Sequence, residues 1–390
     1  MVEVLPMTAP VLIGFADALA AIESAWCLAD HGFEVTAFAR RGRRTPLAGA
    51  TRVRIIDVTP PERDAYQCAA DIAGAARRTG AIAVLPLDDH AVWLCDRAAA
   101  DAALTVAGPT GDRATLALDK RDQLKLAEAA GFPVPPAAAG HADRIGGRWM
   151  VKPALAVELR ERRLHRPTGA IAVDPDQIEE ISAGIGGPAI VQPLIDGVGE
   201  GIFGLATGGT ATALSAHRRV RMMNPRGSGS SACRSIPVAG ELTGPVRDFI
   251  AEAGWDGLFM IELLRDRAGV PWFMELNGRA WGSMALARYK GYHYPSWAVR
   301  AALDPRFRPS MPPPQPEVTA RHLGREIVHL GMVLARGDAP RLATARAVLR
   351  VRREDRWYNC QRGEARVFAA DSWATIRDQL AHRLYRGAGR

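Results

Sequence analysis

The sequence predicts an α/β protein in three parts: a doubly wound, Rossmann-like N-terminal domain, a pair of α+β lobes, and a helical C-terminal extension. Three observations lead there. Strand, turn, helix and strand alternate over the first forty or so residues. A hairpin at 257–277 carries acids inside apolar strands. Beyond the proline run at 312–314 the chain turns helical and rich in arginine.

Taken in order, "APVLIGFADALAAIESAWCLADHGFEVTAFAR" (9–40) reads as a βαβ unit. Val11–Phe15 is a strand, Ala18–Asp30 a helix stopped by His31-Gly32, and Glu34–Ala39 a second strand. "AIAVLPLDD" (81–89) and "LTVAGP" (104–109) supply later strands, which places the first domain at 1–112. No G-x-G-x-x-G follows the first strand, so a dinucleotide site is not supported. Residues 110–136 read as a helix carrying Asp119-Lys120, closed by Gly131. "RWMVKPAL" (148–155) is a strand with Lys152 near its end. The stretch 189–223 reads as strand, glycine-rich turn and antiparallel meander. A helix follows at 242–255, then two strands about a turn at Ala268-Gly269. The lobes thus occupy 113–320 and the basic extension 321–390.

Composition narrows the function classes. The 390 residues are 48% hydrophobic and 24% charged, the balance of a soluble globular chain. No apolar run is long enough to span a bilayer, and the first residues lack the basic start of a signal peptide, so a cytoplasmic location and no membrane partner are expected. Five scattered cysteines form no C-x-x-C pair and read as buried free thiols. The net charge of +8 is carried by residues 321–390, which hold 15 Arg against 7 acids. A nucleic-acid partner is therefore not expected from the chain as a whole, and Trp357 and Tyr358 come in one cluster, not interleaved with the basic residues. Only four of the 50 basic residues are lysine, namely Lys120, Lys125, Lys152 and Lys290.

"PWFMELNGRAWGS" (271–283) sets Glu275, Asn277 and Arg279 at a period of two, so they share one face of a strand. Glu262, in "LFMIELL", would lie opposite Glu275 if the hairpin turns at about 266–271. Two opposed carboxylates repel unless a cation sits between them. Two acids and an amide oxygen are hard ligands that suit Mg²⁺ carrying phosphates, and Arg279 could hold a phosphate or an anionic transition state. The plain alternative is a set of salt-bridged residues at a sheet edge.

An acid-bearing strand, a turn and then E-x-N-x-R resembles the metal-binding strands of the ATP-grasp superfamily, whose members join a carboxylate to a nucleophile through an acyl phosphate. Further pieces occur in that superfamily's order between about residues 10 and 300. "LDKRDQLKLAEAAGFPVPP" is similar to the passage that precedes its nucleotide-binding subdomain (about 146–200 here), "WMVKP" to its V-K-P strand, and "IVQPLIDGVGEG" to the hinge strand that receives adenine. The resemblance implies α+β ATP-grasp lobes, with ATP and Mg²⁺ (or Mn²⁺) as cofactors. It implies Glu262, Glu275 and Asn277 as metal ligands, and Lys120 and Lys152 at phosphate oxygens. The backbone from Val191 to Ile195, with Gln192, would face adenine, and Glu200 would face ribose. "HRRVRMMNPRGSGSSACRSIP" (217–237) brings His217, Arg218, Arg219, Arg221, Arg226 and Arg234 around a Gly/Ser loop. Together with "MELNGRAWGSMALARYKGYHYP" it looks most like the predicted carboxylate–amine ligase branch. Arg279, with Arg221 or Arg234, would then stabilise the acyl phosphate.

Three departures stand against that pattern. Only Gly169 follows the K-P motif where a glycine-rich loop is usual, leaving Arg160, Arg162 or Arg163 to cover phosphate. Gly278 stands where proline is common, and Gln192 where the hinge often has Glu. The expected activity is an ATP-dependent carboxylate–amine ligase acting on small-molecule substrates, amino-acid or peptide-like, with a homodimer allowed. The alternatives are a bicarbonate-using carboxylase or carbamoyl-phosphate-type enzyme, and a nucleic-acid-binding protein using the arginine-rich C-terminus.

Overall fold

A computed structural model describes residues 9–136, 147–225, 227, 229–336 and 340–387. The first segment holds β1 (Ala9–Gly14), α1 (Ala21–Asp30), β2 (Phe33–Arg40), β3 (Val53–Val58), α2 (Ala65–Thr79), β4 (Ala83–Pro86) and α3 (Asp89–Ala102). The strands pair in parallel in the order β3-β2-β1-β4, and the βαβ crossovers put helices over the sheet. Asp64 caps α2 by accepting from the N–H groups of Tyr66 and Gln67, and Gly80 ends it at φ 65. Asp88 caps α3 through the Ala91 N–H. The expected strand at 104–109 is reduced to one bridge, Val84 to Val106. "LTVAGP" ends in Gly-Pro, and Pro109 has no N–H to extend a ladder.

The single helix expected over 110–136 is two, α4 (Asp112–Leu118) and α5 (Lys120–Ala129). Asp119 breaks them, because its carboxylate accepts from the Arg121 N–H and starts the second helix. A small lobe follows, made of β5 (Trp149–Pro153), β6 (Glu158–Arg160), β7 (Arg163–His165), β8 (Ala170–Ala172), α6 (Pro175–Ile185) and β9 (Ala189–Pro193). Its sheet runs β8-β5-β9, so β9 is an edge. The β6–β7 hairpin turns at Glu161 and Arg162, both at positive φ (47 and 68), as a two-residue hairpin turn requires. It leans on the first domain. The Ala65 N–H donates to Arg162 O (2.7 Å), the Leu164 N–H to Pro61 O (2.9 Å), and Arg162 pairs with Asp64 (3.1 Å).

The large lobe comprises β10 (Gly197–Thr207), β11 (Thr210–Met222), β12 (Ser230–Ile236), α7 (Gly240–Glu252), β13 (Gly257–Asp266), β14 (Pro271–Asn277), α8 (Met284–Tyr289) and α9 (Tyr294–Leu303). The extension adds β15 (Thr319–Arg321), α10 (Leu323–Arg336), α11 (Arg341–Leu349), β16 (Asp355–Trp357) and α12 (Ala365–Gly387). One seven-stranded sheet, β14-β13-β10-β11-β12-β15-β16, joins them, so the extension supplies strands as well as helices. One sheet face packs Ile261, Leu263 and Phe273 with Phe249 of α7, and the other packs Phe203, Leu258 and Met260 against the first domain. Arg321, in the basic extension, is buried between Glu326 and Asp355. Among the described residues no helix is long and apolar enough to cross a membrane.

Candidate active site

The hairpin sets Glu262 directly opposite Glu275, and Met260 opposite Asn277. The register slips between Glu262 and Leu263, leaving Met274 out of the ladder. Its carbonyl accepts instead from Lys152 Nζ at 3.3 Å. Lys120 Nζ lies 3.5 Å from Glu275 Oε2, so both lysines close on this acid from the small-lobe side. Strand β14 is a sheet edge, and Gln123 of α5 pins it. The Leu276 N–H donates to Gln123 Oε1 (2.9 Å), while Gln123 Nε2 donates to Leu276 O (3.0 Å). That side chain completes the edge as a strand would.

On the other flank, Arg219 Nη2 reaches Glu262 Oε1 at 2.5 Å. It comes from β11 and must cross β10, the strand between β11 and β13. The crossing explains why "GVGEG" is strand and not the turn expected: a side chain at Gly199 would collide with Arg219. Asn277 Nδ2 donates to Glu275 (3.2 Å), and its Oδ1 accepts from Arg279 Nη2 (2.8 Å). Arg279 Nε donates to Asp89 Oδ1 (2.8 Å), whose other oxygen meets Arg166 at 3.2 Å. Gly278 is explained by packing, since a Cβ there would press on Trp255 and Ala117.

Burial pushes the Glu262 carboxyl above the usual range, while Arg219 pulls it down and Glu275 opposes it. Burial raises Glu275 as well, but Lys120, with Lys152 and Arg279, outweighs both burial and Asp89 and leaves it lowered. Asp89 is also buried, yet Arg279 and then Arg166 bring it down to about 2. Lys152 is lowered to about 8, chiefly by burial, with Lys120 adding and Glu275 opposing. Two half-buried, mutually repelling carboxylates beside an amide oxygen fit a hard divalent cation such as Mg²⁺. A dication would lower both acids, and its binding is expected to weaken as pH falls through the raised Glu262 value. Calorimetric Mg²⁺ titrations at several pH values check this, with proton release on binding as the signature.

The structure brings Lys120, Lys152, Glu262, Glu275, Asn277 and Arg279 together. It places the other expected residues elsewhere. Arg221 pairs with the buried Glu326 of α10, and Arg234 with Glu317 (2.8 Å). Glu200 is opposite Arg218 and Leu263, one residue out of phase with Glu262, and its oxygens are taken by Arg218 (2.7 Å) and Arg265 (2.9 Å). The one-residue offset turns it to the other sheet face. Gln192 is buried and donates to Pro135 O at 3.1 Å. Ile195 lies just past β9, between the two lobes. Of the candidate phosphate-covering arginines, Arg160 pairs with Glu158 and Arg162 with Asp64, and Arg166 is the neighbour that reaches the cluster. Arg226 lies outside the described residues. Sequence reasoning missed Asp89, Gln123 and the role of Arg219.

A cavity of about 150 Å³ lies between the lysines and the hairpin, lined by Asp89, Lys120, Gln123, Arg166, Glu275 and Asn277. A second, also about 150 Å³, lies on the Arg219 side of the acids. His217 lines it, 3% exposed, with neither ring nitrogen hydrogen-bonded among the described residues. Burial, then Arg219, holds this imidazole down to about 3, so it is neutral at pH 7.

No protein-family model and no curated protein matches the chain by sequence. Solved structures match its shape. The biotin carboxylase domain dimer of Hydrogenobacter thermophilus 2-oxoglutarate carboxylase, in complex with MgADP, ADP and bicarbonate, is 17% identical at a TM-score of 0.62, over 80% of this chain and 74% of that one. The L-amino acid ligase of Bacillus licheniformis is 18% identical at 0.57, over 77% and 74%. The Campylobacter jejuni biotin carboxylase, in complex with β,γ-ATP, is 16% identical at 0.59, over 80% and 74%. The chain has the fold of these proteins, the ATP-grasp fold.

Proposed function

We propose that the chain is an ATP-dependent ligase that converts a substrate carboxylate into an acyl phosphate and joins it to an amine, releasing ADP and phosphate. The observation that carries this reading is the convergence of Lys120, Lys152 and Arg279 on the face that bears Glu262, Glu275 and Asn277. Those two acids and the amide would hold Mg²⁺ or Mn²⁺, which neutralises charge on the β- and γ-phosphates. Lys120 and Lys152 bind phosphate oxygens from the small-lobe side. The unpaired edge of β9 and the link after it, from Val191 to Ile195, receives the adenine edge through those backbone groups the sheet leaves free, because the Gln192 amide is spent on Pro135 and the Leu194 N–H on Arg148 O. Arg279, fixed by Asp89, holds the acyl-phosphate oxygens, with Arg219 on the far side of Glu262. Such catalysis is positioning and electrostatics, so it needs no activated serine or cysteine.

Bicarbonate is the second reading for the carboxylate, supported by the biotin carboxylase neighbours. A screen of amino acids and small acids with Mg-ATP, with and without amine, separates the two. Amine-dependent ADP release with an amide product supports the ligase. Bicarbonate-dependent release without amine selects the carboxylase. AMP and pyrophosphate in place of ADP and phosphate overturn the acyl-phosphate route.

Lys152 adds a pH signature. Phosphate favours its charged form, so nucleotide affinity should be steady below about pH 8 and fall as pH rises above it. MgADP titrations from pH 7 to about 9 read this, and Lys152→Met should flatten the slope.

A further inference from the structure

The cavity on the Arg219 side of the acids continues into a larger one, of about 670 Å³, between the first domain and α12; Leu19, Gly282, Arg325 and Tyr358 line both. The charged groups around this chamber are almost all matched. Arg219 is bound to Glu262, Arg279 to Asp89, and Asp17 to Arg40 and Arg43. Asp371 is held by His322 (3.0 Å) and Asn359 (2.9 Å), and Arg377 pairs with Asp378. Arg44 is exposed to solvent. Arg325 differs. It stands where the two cavities meet, the only hydrogen bond of its guanidinium among the described residues goes to the Ser230 carbonyl (3.0 Å), and none of their carboxylates forms an ion pair with it, Asp371 acting on it only from farther off. Burial lowers its guanidinium from the ordinary value, a sign that its charge is poorly compensated. His217, which also lines the smaller cavity, has a donor and an acceptor with no partner among the described residues. A desolvated cation with spare donors and a neutral imidazole describe a place built for an anionic, hydrogen-bonding ligand.

We propose that Arg325 anchors the carboxylate of the amine-bearing substrate, so that the acceptor is an amino acid or an acid of that kind and the C-terminal extension selects it. This rests on the ligase reading above. The phosphate lysines lie on the Glu275 flank of the same face, away from Arg219, so the Arg325 chamber is the open approach to an acyl phosphate at Arg279. There the amine nitrogen forms the new bond to the acyl carbon, phosphate leaves with the electrons of the broken C–O bond, and the amine proton passes to water. A cation at Arg325 also disfavours the ammonium form, which cannot attack.

The test compares the common L-amino acids with their α-carboxamides as amines in Mg-ATP-dependent ADP release, across a panel of small carboxylic acids, alongside MgADP binding by calorimetry. The acids should exceed the amides by roughly thirtyfold or more in kcat/KM. That preference should shrink to about threefold or less in Arg325→Met, and return in part in Arg325→Lys. Equal use of acids and amides by the wild-type protein overturns the proposal, however the variants fold. So does turnover with simple uncharged amines but not with amino acids, and in both cases the ligase reading stands. Absence of both MgADP binding and ADP release overturns the ligase reading and this proposal together.

Discussion

Glu275→Gln removes ATP-dependent turnover, with an expected loss of about a thousandfold or more. The amide keeps the shape of the acid but takes one negative charge from the proposed three-ligand set and leaves Lys120 without its partner at 3.5 Å. The fold favours the charged form of Glu275, so neutralising it costs some stability, offset in part by relief of repulsion with Glu262 across the ladder and with Asp89. A melting temperature within a few degrees of wild type is therefore expected beside lost ADP release. Near-wild-type activity would end the metal assignment.

Arg279→Met should act on both turnover and stability. Its guanidinium, just past β14, is held by Asp89 and by Asn277, and it is the one group in 271–279 with two parallel N–H donors for the proposed acyl phosphate. Loss of roughly a hundredfold or more in kcat is expected, with MgADP binding retained. Asp89 is left buried with Arg166 as its remaining ion-pair partner. Removing one partner of a buried pair costs about 3–5 kcal/mol, and urea denaturation reads it. The double variant Asp89→Asn with Arg279→Met should recover much of that stability and none of the turnover. A double variant as unstable as the single would show that Asp89 is not what Arg279 compensates.

What was legible in the sequence is what local pattern controls. Alternation in "LFMIELL" and "FMELN" placed Glu262 and Glu275 on one face, and hydrophobic periodicity placed the βαβ start. Glu200, expected at ribose from the resemblance alone, lies one residue out of phase with Glu262, and GVGEG looks like a turn until Arg219 is seen crossing it. The helix break at Asp119 was readable as an N-cap and was passed over. Asp89 had no local signal: it meets Arg279 across 190 positions of chain, through the packing of two domains. Arg221 and Arg234 looked available because their partners, Glu326 and Glu317, arrive from segments far downstream.

The first domain and the C-terminal extension are fastened to each other. Glu364, just before α12, accepts from the Thr51 N–H and hydroxyl, Glu23 accepts from the Asn359 N–H, and β16 extends the seven-stranded sheet. The first domain, large lobe and extension are thus clamped as a single jaw. The small lobe is the other jaw, and the turn at Glu161–Arg162 is its latch. For the gap above Glu275 to widen from that side, the bonds from Arg162 to Asp64 and Ala65, and from Arg166 to Asp89, must let go. Since Asp89 also steadies Arg279, loosening that catch would unsettle the arginine on the opposite jaw.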